Sequence, residues 1–200
     1  MSARYDLLIR GGRAVTPNGV ETVDLAVAGG RIAALGALEG ADAAEIVDAK
    51  GLHVLPGVID TQVHFREPGL EHKEDLESGT RAAVMGGVTT VFEMPNTKPN
   101  TTGPAELADK LARAKGRAWC DHAFFMGAAA ENADRLAELE ALPGCCGVKI
   151  FMGASTGSLL VPDDPTLRRA LASGRRRVAI HSEDEPRMVE RRPIADAAVG

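Results

Sequence analysis

The chain has 200 residues, and 23 Lys and Arg against 28 Asp and Glu leave a formal net charge of −5. With 44% hydrophobic and 26% charged residues it has the composition of a folded globular protein, which excludes a disordered or fibrous chain. Its mild acidity argues against nucleic acid or an anionic membrane as the main partner, and no run approaches the ~18 apolar residues of a membrane span.

Residues 1–51 read as a small β domain. Tyr5–Arg10 is a short apolar strand that Gly11-Gly12 is expected to turn into Arg13–Thr16. Val23–Val27 alternates with the period of two of a half-buried strand, and Ala28-Gly29-Gly30 leads into Arg31–Leu35. Strands at this spacing with glycine turns predict a small antiparallel unit with a thin core. From residue 52 to 200 the rhythm becomes strand, loop, helix. His53–Asp60 reads as the first buried strand, Glu74–Met85 as a helix stopped by Gly86-Gly87, and Val88–Met94 as the second strand. Then come the helix Pro104–Lys115, the strand Ala118–Met126, the helix Asn132–Leu142, and the strand Gly147–Met152. The helix Pro165–Ala172, the strand Val178–His181 and a helix from Glu183 complete about five units.

This alternation predicts an α/β fold with a parallel sheet and crossover helices. An open doubly wound sheet and a (β/α)8 TIM barrel both satisfy it. Polar residues collect at the C-terminal ends of successive strands, which is how barrel enzymes build a site. Five units fall short of the eight strands of a closed barrel, so a barrel reading makes this stretch incomplete.

Alternation along an extended strand is expected to put Asp60, Gln62 and His64 on one face. Imidazole nitrogen with carboxylate or amide oxygen suits zinc or a similar divalent ion; hydrogen bonding within loops is the competing account of His64 and His181. Lys149 stands in the otherwise apolar strand Gly147–Met152. A buried ammonium is expensive, so it either snorkels to the strand end, pairs with a carboxylate, or is functional. Asn96, in Met94-Pro95-Asn96-Thr97, either contacts a substrate oxygen or shapes a turn. The run Gly153–Ser158 resembles a phosphate loop only loosely, and Arg175–Arg177 reads as a solvated helix-to-strand turn. Cys120, Cys145 and Cys146 have neither CxxC spacing nor an even count, which fits reduced thiols; with an N-terminus lacking a signal-peptide core, a cytoplasmic protein is expected.

Taken together, Val63–Gly69, Gly86–Thr90 and Met94–Thr97 resemble the amidohydrolase superfamily, and within it the dihydroorotases. The resemblance implies the N-terminal part of a (β/α)8 metal-dependent hydrolase, preceded by part of a composite β domain. It implies one or two zinc ions held by His64, His181 and a carbamylated Lys149, with Gln62 and Asp60 as further oxygen donors. Arg66 and Asn96 would hold the carboxylate of N-carbamoyl-L-aspartate or dihydroorotate in pyrimidine biosynthesis. The catalytic general-base Asp of that family would fall beyond Gly200. Gln62 stands where the family usually has the first histidine of a His-x-His pair, a departure that weakens one metal position. Allantoinases and dihydropyrimidinases share the metal strand and the buried lysine, and are the alternative. A non-catalytic subunit assembling with aspartate transcarbamoylase is another. The resemblance also implies a small-molecule substrate and a homodimer.

Overall fold

A computed structural model describes residues 5–154 and 159–198; Ser155–Ser158, within the run compared above with a phosphate loop, lie outside the described residues. The chain divides into two compact units, Met1–Pro56 and Gly57–Gly200.

In the first unit, β1 (Tyr5–Thr16), β2 (Gly19–Ala28), β3 (Arg31–Gly36) and β4 (Ala43–Asp48) form a sheet in the order β3-β2-β1-β4, and β5 (His53–Val54) also pairs with β1. Two expectations are corrected here. The sheet is mixed, because β4 and β5 run parallel to β1. Gly11-Gly12 does not end a strand but forms a bulge within β1, where the register shifts between Ile9 and Gly12. Gly11 takes φ +66° and donates its amide to Asp24 Oδ1 at 2.8 Å. The core of this unit is small, centred on Leu8, Ala26 and Ala43.

The second unit carries β6 (Val58–Val63), α1 (Leu76–Met85), β7 (Val88–Glu93), α2 (Pro104–Ala114) and β8 (Asp121–Gly127). It continues with α3 (Leu136–Leu139), β9 (Cys145–Phe151), α4 (Asp164–Ser173), β10 (Val178–His181) and α5 (Glu185–Ala197). The strand read as His53–Asp60 is therefore two, β5 and β6, which belong to different sheets. Nor is it buried: Val58 and Ile59 are 52% and 56% exposed on an edge strand. The helix expected over Asn132–Leu142 is a 3-10 turn, Ala133–Arg135, followed by the single turn of α3.

All five strands of the second sheet are parallel and pair in chain order, β6-β7-β8-β9-β10. A doubly wound sheet reverses its strand order at a switch point. Sequential order without reversal is that of a barrel wall. Caps set the helix starts: Asp75, Asp163 and Asp184 accept the amides of Ser78, Thr166 and Arg187.

One face of the sheet presents Val91, Phe124, Met126, Val148 and Ile150 to Leu76, Leu107, Leu136, Leu139 and Ala170 of the helices. On this face lies a buried ion pair between Glu93 of β7 and Lys110 of α2, whose ammonium also donates to the Met94 carbonyl at 3.1 Å. Burial pushes the Glu93 carboxyl up to about 7, against the attraction of Lys110, and lowers Lys110. Among the described residues no helix is long and apolar enough to cross a membrane. All three thiols are free, with Cys146 pushed up to about 12 by burial.

Two outcomes follow from this packing. Gly147, at φ +152°, opens the stretch of β9 that carries Lys149, and a Cβ there would strike the Arg177 carbonyl. Gly147→Ala should cost about 1–3 kcal/mol in urea unfolding. Because Glu93 titrates above its ordinary value of 4.5, the native state holds a proton that the unfolded chain releases between pH 4.5 and about 7. Its contribution to stability therefore falls as pH rises through that window, and Glu93→Gln should flatten this part of the unfolding-midpoint profile.

Candidate active site

The parallel ladder aligns β9 and β10 so that Lys149 lies opposite Ala179 and Phe151 opposite His181. Paired and alternate residues share a face, so Lys149, Phe151 and His181 lie together on the face away from the helix-packed core. Lys149 is only 3% exposed. Its ammonium sits 4.8 Å from the centroid of the Phe151 ring, and among the described residues no carboxylate pairs with it. Burial alone lowers its pKa, which favours the neutral amine. Of the three readings of this lysine, the ion pair is thus absent among the described residues. The His181 ring centroid is 5.9 Å from that of Phe151, and its Nε2 lies 2.8 Å from Glu183 Oε2.

His64 follows directly on β6. It is half-buried and shares a side-chain hydrogen bond with Asn96 in the loop after β7. Burial first, then the charges of Arg66 and Lys149, hold its pKa below the usual histidine value. A neutral imidazole with a free lone pair is the form that can ligate a metal. Arg66, two residues on, has Nη1 buried without a hydrogen-bond partner among the described residues. The structure thus brings Arg66, Asn96 and Lys149 within electrostatic or hydrogen-bonding reach of His64, with His181 across Phe151 from Lys149.

Asp60 behaves differently. Its register partner is Val91, and that of Val63 is Glu93, so an extra residue is bulged between them. The bulge places Asp60 and Val63 on the helix side and Gln62 on the other, so the expected single face for Asp60, Gln62 and His64 is broken. Asp60 Oδ1 instead accepts the Gln62 amide at 3.0 Å, and both residues are exposed. Among the described residues, no three His, Cys, Asp or Glu side chains converge on a point that would hold a metal.

Several residues that shape this end of the sheet escaped the sequence reading. Asn132 joins two strand-end loops: its amide nitrogen donates to the Thr102 and Gly127 carbonyls, each at 2.8 Å, and its oxygen accepts from Ala129. Glu67 is buried beneath Arg66 in sequence and reaches α1 and Arg117. Glu93 was a visible signal, a carboxylate in an apolar strand; its partner Lys110 was not, since the pairing is tertiary.

Comparison with known proteins extends this picture. The amidohydrolase family pattern matches residues 53–186. The chain is 44% identical over 161 residues to the allantoinases of Escherichia coli strains K12 and SE11, covering 80% of this chain and 35% of theirs. It superposes on the L-hydantoinase (dihydropyrimidinase) of Arthrobacter aurescens with a TM-score of 0.88 and 28% identity, over 98% of this chain and 45% of that one. The dihydropyrimidinase of Brevibacillus agri NCHU1002 gives 0.78 and 28%, over 96% and 43%. The chain therefore spans about a third of the length of these curated relatives and under half of these solved structures. Its second unit is the N-terminal part of a (β/α)8 amidohydrolase barrel, with a separate β segment before it.

A buried, unpaired lysine detracts from stability. Lys149→Met, of similar length and apolar, should raise the unfolding free energy obtained from urea melts by about 1 kcal/mol or more. A marked fall in stability would show instead that the ammonium holds the sheet together.

Proposed function

The chain belongs to the amidohydrolase family, and we propose that it forms the N-terminal part of an enzyme that hydrolyses a cyclic amide, of the hydantoin or allantoin kind. The observation that carries this reading is Lys149. A cation buried without a counter-charge, beside His64 and on one face with His181, is costly unless chemistry removes its charge. Reaction with carbon dioxide would turn it into an anionic carbamate. His64, His181 and that carbamate would then make a donor set suited to a divalent metal such as zinc, with Gln62 a weaker neutral donor. Such an ion supplies a nucleophilic hydroxide at neutral pH and polarises the amide carbonyl. Holding the ring falls to the chain itself. Arg66 offers the buried Nη1 donor to a ring oxygen, and Asn96 orients His64 through their shared hydrogen bond. The likeness to an allantoinase and an L-hydantoinase supports the reading of an uncharged ring as substrate.

A second reading, the dihydroorotase one, draws support from Arg66. A buried guanidinium nitrogen lacking a partner is well matched by a substrate carboxylate, which it binds with charge assistance. The two readings separate in one assay of the protein isolated from its native source. Allantoin, hydantoin, dihydrouracil and dihydroorotate are offered in parallel and ring opening is followed. Turnover of the uncharged rings supports the proposal, turnover of dihydroorotate alone replaces it with the second reading, and turnover of none overturns both. Independently, protein equilibrated with 13C-bicarbonate should show a carbamate carbon resonance that Lys149→Ala abolishes.

A further inference from the structure

We infer that Glu67 is the positioning residue for Arg66: its carboxylate, tied to the first turn of α1 and to Arg117, holds the loop after β6 in the one conformation that turns the guanidinium toward His64. The inference rests on the reading of Arg66 as the group that anchors the substrate.

Among the described residues, Arg66 is the one non-glycine with positive φ, at 67°. An L side chain adopts this conformation rarely, and keeps it when its surroundings leave no other choice. The residues on either side supply that constraint. Phe65 is buried against α1, where Gly79 leaves room for its ring; any Cβ at Gly79 would strike it. Glu67 is 3% exposed. Its Oε2 accepts the Leu76 amide, the first of α1, at 2.9 Å, and its Oε1 accepts from Arg117 Nη1 at 2.7 Å, with Arg117 Nη2 3.3 Å from Oε2. Arg113 Nη1 adds a second positive group at 3.7 Å. Further along, the Lys98 amide donates to the Pro68 carbonyl at 2.8 Å, and the Leu70 amide to that of Arg66 at 3.1 Å.

Phe65 and Glu67 are thus both committed to the helices, while Arg66 between them donates its own amide to Glu93. Its charge acts on His64 and its Nη1 is buried. Of the two anchors, Phe65 is apolar and tolerates sliding. Glu67 makes directional, charge-assisted bonds to two separate elements and fixes the angle of the turn. A purely structural Glu67 would merely cap α1; a positioning Glu67 also fixes a guanidinium that it does not touch.

The test reads Arg66 directly. In the native protein labelled with 15N-arginine, the Arg66 Nε–Hε signal is identified by its loss in Arg66→Ala. It should collapse to the averaged position of exposed arginines in both Glu67→Ala and Arg117→Met. It should stay in place in Asp134→Ala, which breaks only the exposed Arg169–Asp134 pair. Glu67→Gln, which still accepts from Leu76, should restore part of it. In the substrate assay, Glu67→Ala should raise KM about tenfold with a smaller effect on kcat, and that rise should vanish in an Arg66→Ala background. An unchanged Arg66 signal in folded Glu67→Ala and Arg117→Met overturns the inference. If Glu67→Ala does not fold, Arg117→Met, at a site 40% exposed, decides alone. Should Arg66→Ala leave KM unaltered, the anchoring role falls and the inference with it. That failure is told apart because the Arg66 signal would still respond to Glu67.

Discussion

Everything at the candidate site depends on a parallel ladder whose two faces meet different surroundings. Five strands paired in chain order deliver their C-terminal residues to one end of the sheet, and the crossover helices cover one face. Because side chains alternate, the face a residue occupies decides its fate. Glu93 and Lys149 show this most clearly. Each is a charge in an otherwise apolar strand. Glu93 lies on the helix side, where Lys110 reaches it and the pair is sealed in. Lys149 lies on the opposite face, among Phe151 and His181, and among the described residues nothing of opposite charge meets it. One oddity is resolved by packing; the other awaits chemistry.

The bulge between Asp60 and Val63 gives the same rule a second expression. One extra residue reverses the facing of everything after it. Without it, Gln62 and His64 would share the helix-side face of Asp60. With it, the strand end turns His64 toward Asn96 and Lys149. The loop beyond continues the alternation without hydrogen-bonded strand geometry to enforce it. Buried side chains at Phe65 and Glu67 do that work, so the helices behind the sheet determine where Arg66 points.

Much of this was legible from residue order alone. The strand–helix rhythm, Pro104 at the start of α2 and the strand Val178–His181 all follow from local chemistry, and the structure keeps them. Lys149 stood out because an ammonium has no place in Gly-Val-Lys-Ile-Phe-Met unless something special happens to it. What escaped was non-local. Whether Gly11-Gly12 is a turn or a bulge depends on what β1 continues to pair with, and only β4 and β5, distant in sequence, settle it. His53–Asp60 reads as one apolar run, yet its two ends join different sheets. The facing of Asp60 rests on a register that period-two reasoning takes for granted. The partners of Glu67 and Glu93 lie 50 and 17 residues away, beyond any local pattern.

The separation between ladder and loop bears on how substrate preference is set. Lys149 and His181 belong to strands, and His64 follows immediately on one, so their placement is fixed by the sheet. Arg66 belongs to a loop, and in the proposed site it would meet whatever the ring carries beyond its amide bond. An uncharged ureide would satisfy Nη1 through a carbonyl oxygen; a ring carboxylate would add Coulomb attraction in a site partly removed from water. With neither present, a buried donor goes unpaired, which costs about 1–3 kcal/mol. On the proposed reading, rejection of a ring lacking the matching oxygen would be built into Arg66 and the anchors behind it. The strand-end donors can stay constant while the loop changes its preference. On the proposed reading, that division of labour would let the strands keep the chemistry common to the family while one guanidinium sets the substrate.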